Sequence, residues 1–313
     1  MPYANLVSPE RCVQNNQLAF LNTTSPTYLS SLITAASNAV RRYCVERVFT
    51  LENFTDYYTV GIKKKETPML MLRQFPVKSI SRVGLMIRAL NVQNSGSTGL
   101  ARANVSTTDL GLVLTAVNNA VTSVVNLYYG TYPTILQLAN AIIAAGNGWS
   151  ASVQSGVNGN FNNWASADLK PIQGAVSTFQ GGTYLELPQD LAVLQTGPYG
   201  FDGDDSYEGT WGMNGPGWRL DPETGEMWFN CRRGALTLRV DYIAGFDQVP
   251  QDVQEATVMT AISIWSAGKI DPMIKSEGAE DYNYTLKDDV YPIPTAAMKM
   301  LNVYRDYARY SLR

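Results

Sequence analysis

The sequence contains no histidine, and this absence limits the chemistry open to its other polar residues. Without imidazole groups the chain cannot form a Ser-His-Asp or Cys-His catalytic arrangement, a histidine metal site or a histidine acid–base pair. The sequence also has no Walker loop and no Gly-x-Gly-x-x-Gly motif between a strand and a helix, so no motif indicates nucleotide binding. We therefore predict that the protein is not an enzyme and has no catalytic residue and no cofactor.

A dense acidic stretch is formed by Asp202, Asp204, Asp205 and Glu208. Calcium is bound by several carboxylate oxygens, but this spacing does not match the EF-hand pattern. A glycosidase would need two carboxyl groups about 5 to 10 Å apart across a cleft, and the sequence gives no means of pairing them. We interpret the stretch as a solvated acidic loop and predict no metal site.

Four tryptophans suggest a different kind of site: Trp149, Trp164, Trp211 and Trp218. Aromatic side chains of this kind could stack on sugars, which raises the hypothesis of a glycan-binding or decoration module. Aromatic residues more commonly belong to a core or to a protein interface. Both interpretations stay open at this point.

The composition indicates a globular protein that is poor in charge. Of the 313 residues, 45% are hydrophobic and 16% are charged, which suits surfaces that become buried in an assembly. The cysteines, Cys12, Cys44 and Cys231, are widely spaced and form neither a disulfide framework nor a zinc pattern. We expect no signal peptide, no membrane-spanning helix, and assembly in a reducing cytoplasm.

Outside residues 91–215, three segments have the spacing of apolar residues that is typical of helices. The first covers residues 27–44. Basic residues crowd its end, as the helix dipole favours: Arg41, Arg42 and Arg47. The second follows the stretch "LRVDYIAGFDQVPQDVQEA", in which a strand ends at Gly245 and a helix begins at Pro250. The third follows Pro294, and the three helices can pack into one bundle.

Alternating patterns predict β-ribbon strands at "DYYTVG" and "MLMLRQF", around a basic tip. From residue 91 the sequence becomes rich in Asn, Ser, Thr and Gly and acidic residues dominate, which indicates an insertion with its own core. Within it, two alternating strands flank Asn118-Asn119. The predicted fold class is α+β, with a helical-bundle body (residues 1–90 and 216–313), β-ribbon loops and an inserted small α+β domain (residues 91–215).

Two parts of the chain together carry a series of motifs. Near the N-terminus these are "YLSSLITAASNAVRRYCVERVFT", "YYTV" and "LMLRQFPVKSISRV", and near the C-terminus they are "LRVDYIAGFDQVPQDVQEATVMTAISIW", "SEGAEDYNYTL" and "IPTAAMKMLNVYR". The first group resembles the first helix and the strand-Pro-Val-strand passage of the head-tail adaptor (connector) proteins of tailed bacteriophages, and the second resembles their strand, Val-Pro helix start and closing helix. These segments cover roughly half the chain, whereas residues 91–215 depart from the short adaptors.

The resemblance implies a structural protein of the virion neck, assembled in the host cytoplasm as a homo-oligomeric ring, commonly of twelve copies. Such a ring binds the portal protein under the portal vertex, extends the channel through which double-stranded DNA passes non-specifically, and receives the next neck or tail protein. No membrane is implied as a partner. The alternative function is a virion neck or decoration protein whose inserted domain binds glycan or another partner.

Two sets of residues are candidate sites on this hypothesis. The portal-docking set lies in the last helix, because tyrosine and arginine are favoured at buried interfaces: Tyr304, Arg305, Tyr307, Arg309, Tyr310 and Arg313. An alternative is that the tyrosines, Tyr304 above all, complete the core. The DNA-channel set is Lys63, Lys64 and Lys65, which could contact phosphates or could form a solvated hairpin tip.

Overall fold

The computed structural model describes residues 5–62, 69–96, 99–156, 159–179, 181–193, 217–229, 234–267, 276–279, 282–285 and 293–310. The α-helices in these residues are α1 (Pro9–Val13), α2 (Asn16–Thr24), α3 (Pro26–Tyr43), α4 (Ile135–Ala144), α5 (Gln251–Ala267) and α6 (Thr295–Tyr310). Within the described residues there is also a single 3-10 turn, at Ser166–Asp168.

The strands follow one another in this order: β1 (Glu52–Ile62), β2 (Met69–Met71), β3 (Val77–Asn94), β4 (Leu100–Thr107), β5 (Gly111–Asn118), β6 (Val121–Tyr128), β7 (Trp149–Val153), β8 (Ser155–Gly156), β9 (Gly159–Asn160), β10 (Ile172–Ser177), β11 (Thr183–Asp190), β12 (Ala192–Val193), β13 (Gly217–Leu220), β14 (Glu226–Phe229), β15 (Gly234–Ala244), β16 (Ser276–Ala279) and β17 (Tyr282–Thr285).

The central sheet has the strand order β1-β15-β3-β11, and β7 also pairs with β3. All of these pairs are antiparallel, and β1 pairs with β15 along its whole length, from Glu52 opposite Ala244 to Ile62 opposite Gly234. The long strand β3 has two sets of partners. Its first half pairs with β15, and its second half pairs with β11 and β7.

A second antiparallel sheet, with the order β10-β4-β5-β6, lies within residues 100–177 and is called here the insert sheet. It packs with α4 and with the second half of β3 around one apolar core, to which β5 contributes Leu112 and Leu114 and α4 contributes Leu138 and Ile142. A capping box at Thr134 and Gln137 fixes the start of α4. A third, smaller sheet has the order β12-β13-β14-β2.

Helices from both ends of the chain pack together at the end of the central sheet where β1 begins and β15 ends. Helix α5 packs against both α3 and α6. Two apolar clusters hold these helices: Leu29, Ile33 and Ala36 of α3 pack with Val258 and Ala261 of α5 in one. Val40, Val253, Ala256, Ala297 and Leu301 belong to the other.

The predicted fold class, with a helical-bundle body, is wrong: the protein is mostly antiparallel β-sheet with few helices. The three predicted helices are present, but they cover one end of a sheet. The predicted ribbon does not form in the described residues either, since β1 pairs with β15 and β2 with β14. Alternating or helical spacing reports which face of an element is apolar, but it does not report the partner of that face.

The predicted boundary at residue 91 falls inside β3, so this strand runs without a break from the central sheet into the core of the insert. Because β11 and β7 of the insert pair with β3, the insert and the rest of the chain share the central sheet. The division into residues 1–90 with 216–313 and residues 91–215 stays a prediction.

Candidate interaction site at the junction of the two chain ends

The two ends of the chain meet around Arg47, which follows α3 and is only 7% exposed. Its guanidinium donates one hydrogen bond to the carbonyl of Tyr304 in α6 (3.1 Å) and one to the carbonyl of Phe75 (3.2 Å). It also lies over three rings, 4.3 Å from the centroid of Phe75, 5.5 Å from Tyr304 and 5.8 Å from Phe246. One cation therefore links α6 to the segments that precede β3 and follow β15. A planar guanidinium suits this place because it donates in its plane and stacks on aromatic faces.

This role of Arg47 was not predicted from the sequence. Arg41, Arg42 and Arg47 were predicted to interact favourably with the dipole at the end of α3, yet Arg41 and Arg47 are both buried. The signal that could have pointed to the role of Arg47 is its position directly before Val48 and Phe49, which are fully buried. An arginine inside an apolar run needs several acceptors or aromatic rings to be buried at all.

Tyr304 is part of this junction. Its hydroxyl donates to the carboxylate of Asp252, with oxygen distances of 2.8 and 3.0 Å. Its ring meets that of Phe49 edge-on, with the centroids 5.3 Å apart, and that of Phe246 at 6.1 Å. Burial, together with the hydrogen bond to Asp252, raises the pKa of Tyr304 above its usual value, so the hydroxyl remains a donor at neutral pH.

Arg305 also contacts the body of the same chain. Its guanidinium lies 4.8 Å from the centroid of the Tyr43 ring at the end of α3. The Tyr43 hydroxyl in turn donates to the side-chain oxygen of Asn302 at 2.8 Å. The start of the predicted docking set is therefore engaged with α3 and α5 of its own subunit.

The rest of the docking set lies at the end of the chain. Tyr307, Arg309 and Tyr310 occupy the last turns of α6, but their side chains are not among those that the structure describes. Arg313 lies outside the described residues, as do the candidate channel residues Lys63, Lys64 and Lys65. The assignment of both sets stays a prediction.

Helix α6 has one buried and one exposed face. Ala297 and Leu301 are fully buried against α5 and the end of α3. The exposed face carries Thr295, Ala296, Lys299, Asn302 and Val303. Val303 is apolar and yet 60% exposed, which makes this face a candidate contact surface.

A surface depression of about 460 Å³ lies next to this face, between the first turn of α5 and α6. Its lining includes two carboxylates, Asp252 and Glu255, together with Gln251 and Met300. Asp252 accepts the hydroxyl hydrogen of Tyr304, and Glu255 forms an ion pair with Arg11 of α1. The depression is therefore acidic and bounded by residues that hold the chain ends together.

The corner between β15 and α5 is fixed by Gly245. Its φ of +114° lies in the left-handed region that favours glycine. Its N–H donates to the carbonyl of Pro76 at 2.9 Å, and a Cβ at this position would clash with the main-chain carbonyl of Thr50. Three segments of backbone therefore meet closely at one residue, and this sets the direction in which α5 leaves the sheet.

A hydrogen-bonded cluster around Asp56 of β1 holds the turn that carries Phe75. The Asp56 carboxylate accepts from the hydroxyls of Tyr58 (3.0 Å) and Tyr242 (2.8 Å). Those hydroxyls accept from the main-chain N–H groups of Arg73 and Gln74. Burial above all raises the pKa of both tyrosines, so they remain neutral donors. The cluster thereby positions the segment on which the Arg47 contact depends.

A network of ion pairs links the insert to the other face of the central sheet. Asp168, from the 3-10 turn, lies 3.0 Å from a guanidinium nitrogen of Arg82 on β3 and 3.4 Å from one of Arg239 on β15. Arg82 also pairs with Asp190, and Arg239 pairs with Asp241 at 2.9 Å. The arginines are only 17–22% exposed, so these pairs are partly shielded from water. The carboxylates serve here to connect the insert to two strands of the sheet.

The remaining sequence hypotheses can be placed in part. The acidic stretch Asp202 to Glu208 and Trp211 lie outside the described residues. Trp149 is buried in the core of the insert, and Trp164 packs edge-on against Phe161 at 5.1 Å. In the described part of the chain, no group of three or more His, Cys, Asp and Glu side chains could hold a metal ion, and no helix is long and apolar enough to cross a bilayer.

Comparisons of the chain with protein-family models, with curated proteins and with solved structures find no match.

Proposed function

We propose that the protein is a structural head-tail adaptor of a tailed bacteriophage. In this role its copies form a ring under the portal vertex, the ring extends the DNA channel, and its far side receives the next neck or tail protein. Residues 91–215 are an addition to the adaptor body.

The observation that carries the proposal is the closure of the two chain ends on each other. The segments that resemble adaptors lie on either side of the insert, far apart in the sequence. In the structure β1 of the first segment pairs along its whole length with β15 of the second, and α3 of the first packs against α5 of the second. This is the arrangement expected if an adaptor chain carries an insertion between two parts of one body.

The rigidity of this closure supports a role in a ring. A ring closes only if each subunit holds its two flanks at a fixed angle, because a small error repeats at every contact. The Arg47 contacts and the Gly245 corner both fix helices relative to the central sheet. The scaffold of the proposed subunit is thus a sheet with helices at one end, instead of a helical bundle.

The exposed face of α6 is the surface that we assign to portal docking. It carries Lys299 and Val303, and α6 continues through Arg309 to Tyr310. Tyr304 and Arg305 support the helix from its inner side through Asp252, Arg47 and Tyr43. The docking contacts themselves then come from residues beyond Arg305 and from the exposed face.

Electron microscopy of the purified full-length chain, alone and with the portal of its phage, tests the ring. We expect closed rings of the chain alone, or rings bound to one end of the portal, with the copies of the chain related by rotational symmetry. A chain that remains a monomer at high concentration and in the presence of the portal overturns the proposal.

A truncation tests the docking surface separately. Removal of residues 307–313 leaves the Tyr304 and Arg305 contacts in place, so the melting temperature should stay unchanged while co-sedimentation with the portal is lost. The control is Asp247→Asn, which removes an exposed ion pair with Lys78 and should leave portal binding intact. Full binding by the truncated chain refutes the assignment of this helix.

A further inference from the structure

The outer strand of the insert sheet, β6, lies at the edge of that sheet. It is the last strand in the order β10-β4-β5-β6, and in the described residues no strand pairs with its outer side. Val121, Val124 and Tyr128 are 69%, 55% and 56% exposed, and Thr122 and Asn126 are exposed between them. Three large apolar side chains therefore lie along one open edge.

The turn before β6 determines which backbone groups this edge offers. Asn119 and Ala120 both have positive φ (45° and 64°), which is the two-residue type I′ turn that closes a β-hairpin. Asn118 pairs with Val121 beside this turn, so the odd-numbered residues of β6 exchange hydrogen bonds with β5. The N–H and C=O groups of Thr122, Val124 and Asn126 consequently point outward and can pair with another strand.

Nothing in β6 protects the edge from such pairing. Proteins usually protect an exposed edge with a charge, a proline or a bulge. The sequence of β6, "VTSVVNLY", contains none of the charged residues, and it has no proline and no glycine. The opposite edge of the same sheet is different, because β10 shifts register between Ile172 and Val176, where Gly174 has a φ of +92°. Only the β6 edge is therefore regular enough to receive a strand along its length.

The strand is complementary to itself. A two-fold axis at Val124 places this residue opposite Val124 of a second copy, and it places Thr122 opposite Asn126 of that copy. On the other side of the sheet Val121 then lies opposite Leu127. Val124 with Val124 and Val121 with Leu127 are apolar pairs, and Thr122 with Asn126 is a polar pair that can hydrogen-bond; Ser123 opposite Val125 is the one mixed pair of this register. A two-fold contact also places identical residues near one another, and the lack of charge on β5 and β6 avoids repulsion.

We propose that the β6 edge binds the β6 edge of a second copy of this chain, in an antiparallel pair centred on Val124. The insert sheets of two copies then join into one continuous sheet of eight strands, which follows from four strands in each. This contact goes beyond the proposed ring and does not depend on it. Ring contacts are head-to-tail, whereas this contact is two-fold and joins two subunits, or two rings, face to face.

The first experiment compares two lysine substitutions by mass photometry and analytical ultracentrifugation of the full chain. Val124→Lys places two ammonium groups opposite each other on the axis and should weaken the two-fold association by about 100-fold, which halves the mass of the largest species. Val176→Lys, on the opposite edge of the same sheet, is the matched control and should change the association by less than about threefold. Circular dichroism should show that both variants fold.

The outcomes separate the possible contacts. If Val176→Lys weakens the association as much as Val124→Lys, then β6 binds β10 of the next copy and the proposal is wrong. If the unsubstituted chain shows no two-fold association at about 100 µM, or if Val124→Lys has no effect, the proposal is also wrong. If the Val124→Lys variant still forms a ring, at half the mass of the unsubstituted assembly, then the β6 contact joins two rings and ring formation does not depend on it.

A disulfide provides a second and direct test. Residues on the two-fold axis of an antiparallel pair have Cα atoms close enough for a disulfide. Val124→Cys, in a Cys231→Ser background, should therefore form a covalent dimer under mild oxidation, while Val176→Cys in the same background should not. Cys12 and Cys44 are buried and do not interfere. Failure of Val124→Cys to crosslink, with Val176→Cys crosslinking instead, contradicts the two-fold pairing.

Discussion

The guanidinium of Arg47 donates a hydrogen bond to the main-chain carbonyl of Tyr304 at 3.1 Å and lies over the ring of the same residue. These two residues are separated by 257 positions in the sequence. The contact joins the exit of α3 to α6 and therefore joins the two ends of the chain. Because Phe75 and Phe246 contact the same guanidinium, the contact also connects both ends to the central sheet.

Replacement of Arg47 by lysine should lower the free energy of unfolding by about 2–4 kcal/mol, since lysine keeps the charge but loses the second hydrogen bond and the stacking. Urea denaturation measures the change. Arg73→Lys is the control, because that side chain is 67% exposed and its ion pair with Asp56 is long at 3.4 Å. The control should lose less than about 0.5 kcal/mol, and equal losses in both variants would contradict the role of Arg47.

Gly245→Ala should destabilise the protein by about 2–4 kcal/mol, because alanine is strained at positive φ and its Cβ clashes with the carbonyl of Thr50. Gly130→Ala is a matched change, since nothing lies within 4 Å of a Cβ at that position. Its effect should be close to zero. Thermal unfolding of the two variants side by side checks the prediction. An unchanged melting temperature for Gly245→Ala would mean that the corner does not depend on the positive φ of Gly245.

Stability should decrease as the pH rises above 9. Burial raises the pKa of Cys12 to about 11 and that of Cys44 to about 12, from an ordinary value of 9.0. The folded chain thus retains thiol protons that the unfolded chain releases at lower pH. This stabilising contribution is complete below pH 9 and is lost as the pH rises towards the folded-state values. The buried tyrosines Tyr58 and Tyr242 act in the same direction above their ordinary value of 10.0.

Urea midpoints measured at about pH 7, 9 and 10.5 check this dependence. The double variant Cys12→Ala, Cys44→Ala should show a shallower decrease between the last two values, because it has no thiol protons to retain. A midpoint that rises over this range has the opposite sign and contradicts the linkage.

Asp168→Asn should loosen the connection between the insert and the central sheet. The substitution removes a carboxylate that lies between Arg82 and Arg239, and we expect a loss of about 1 kcal/mol because the pairs are partly exposed. Hydrogen exchange should become faster in β11 and around the 3-10 turn. The control is Asp247→Asn, at an exposed pair with Lys78, which should leave the free energy of unfolding and the exchange rates unchanged. If exchange becomes faster in this control but not in Asp168→Asn, the proposed connection through Asp168 is wrong.

Local features of the fold could be predicted from particular residues. The spacing of apolar residues predicts a helix at 27–44, and α3 covers Pro26–Tyr43. The strand that ends at Gly245 is present, and α5 begins one residue after Pro250. The hairpin of the insert is present too, but its turn lies at Asn119-Ala120, one position beyond the predicted pair. Each of these features depends on residues that are neighbours in the sequence.

The candidate site could be predicted only in part. The composition of the last helix pointed to Tyr304 and Arg305 as portal-docking residues, which stays a prediction, and the structure shows both in contact with other parts of their own chain. The partners of these residues, Asp252 and Tyr43, had no local signal, and the position of Arg47 before Val48 and Phe49 indicates burial without indicating which groups surround it. The exposed edge of β6 was likewise not predicted, because an alternating strand looks the same in the sequence whether it is central or at an edge.

The sequence by itself determined where helices and strands begin, which of their faces are apolar, and which catalytic arrangements lack the residues they need. The tertiary structure decided that β1 pairs with β15, that the body is a sheet with helices at one end, and that Arg47 becomes the buried link between them. The physical reason is that backbone preferences and apolar spacing act over a few residues. Strand pairing and the burial of a charge depend on contacts between residues that only the complete fold brings together.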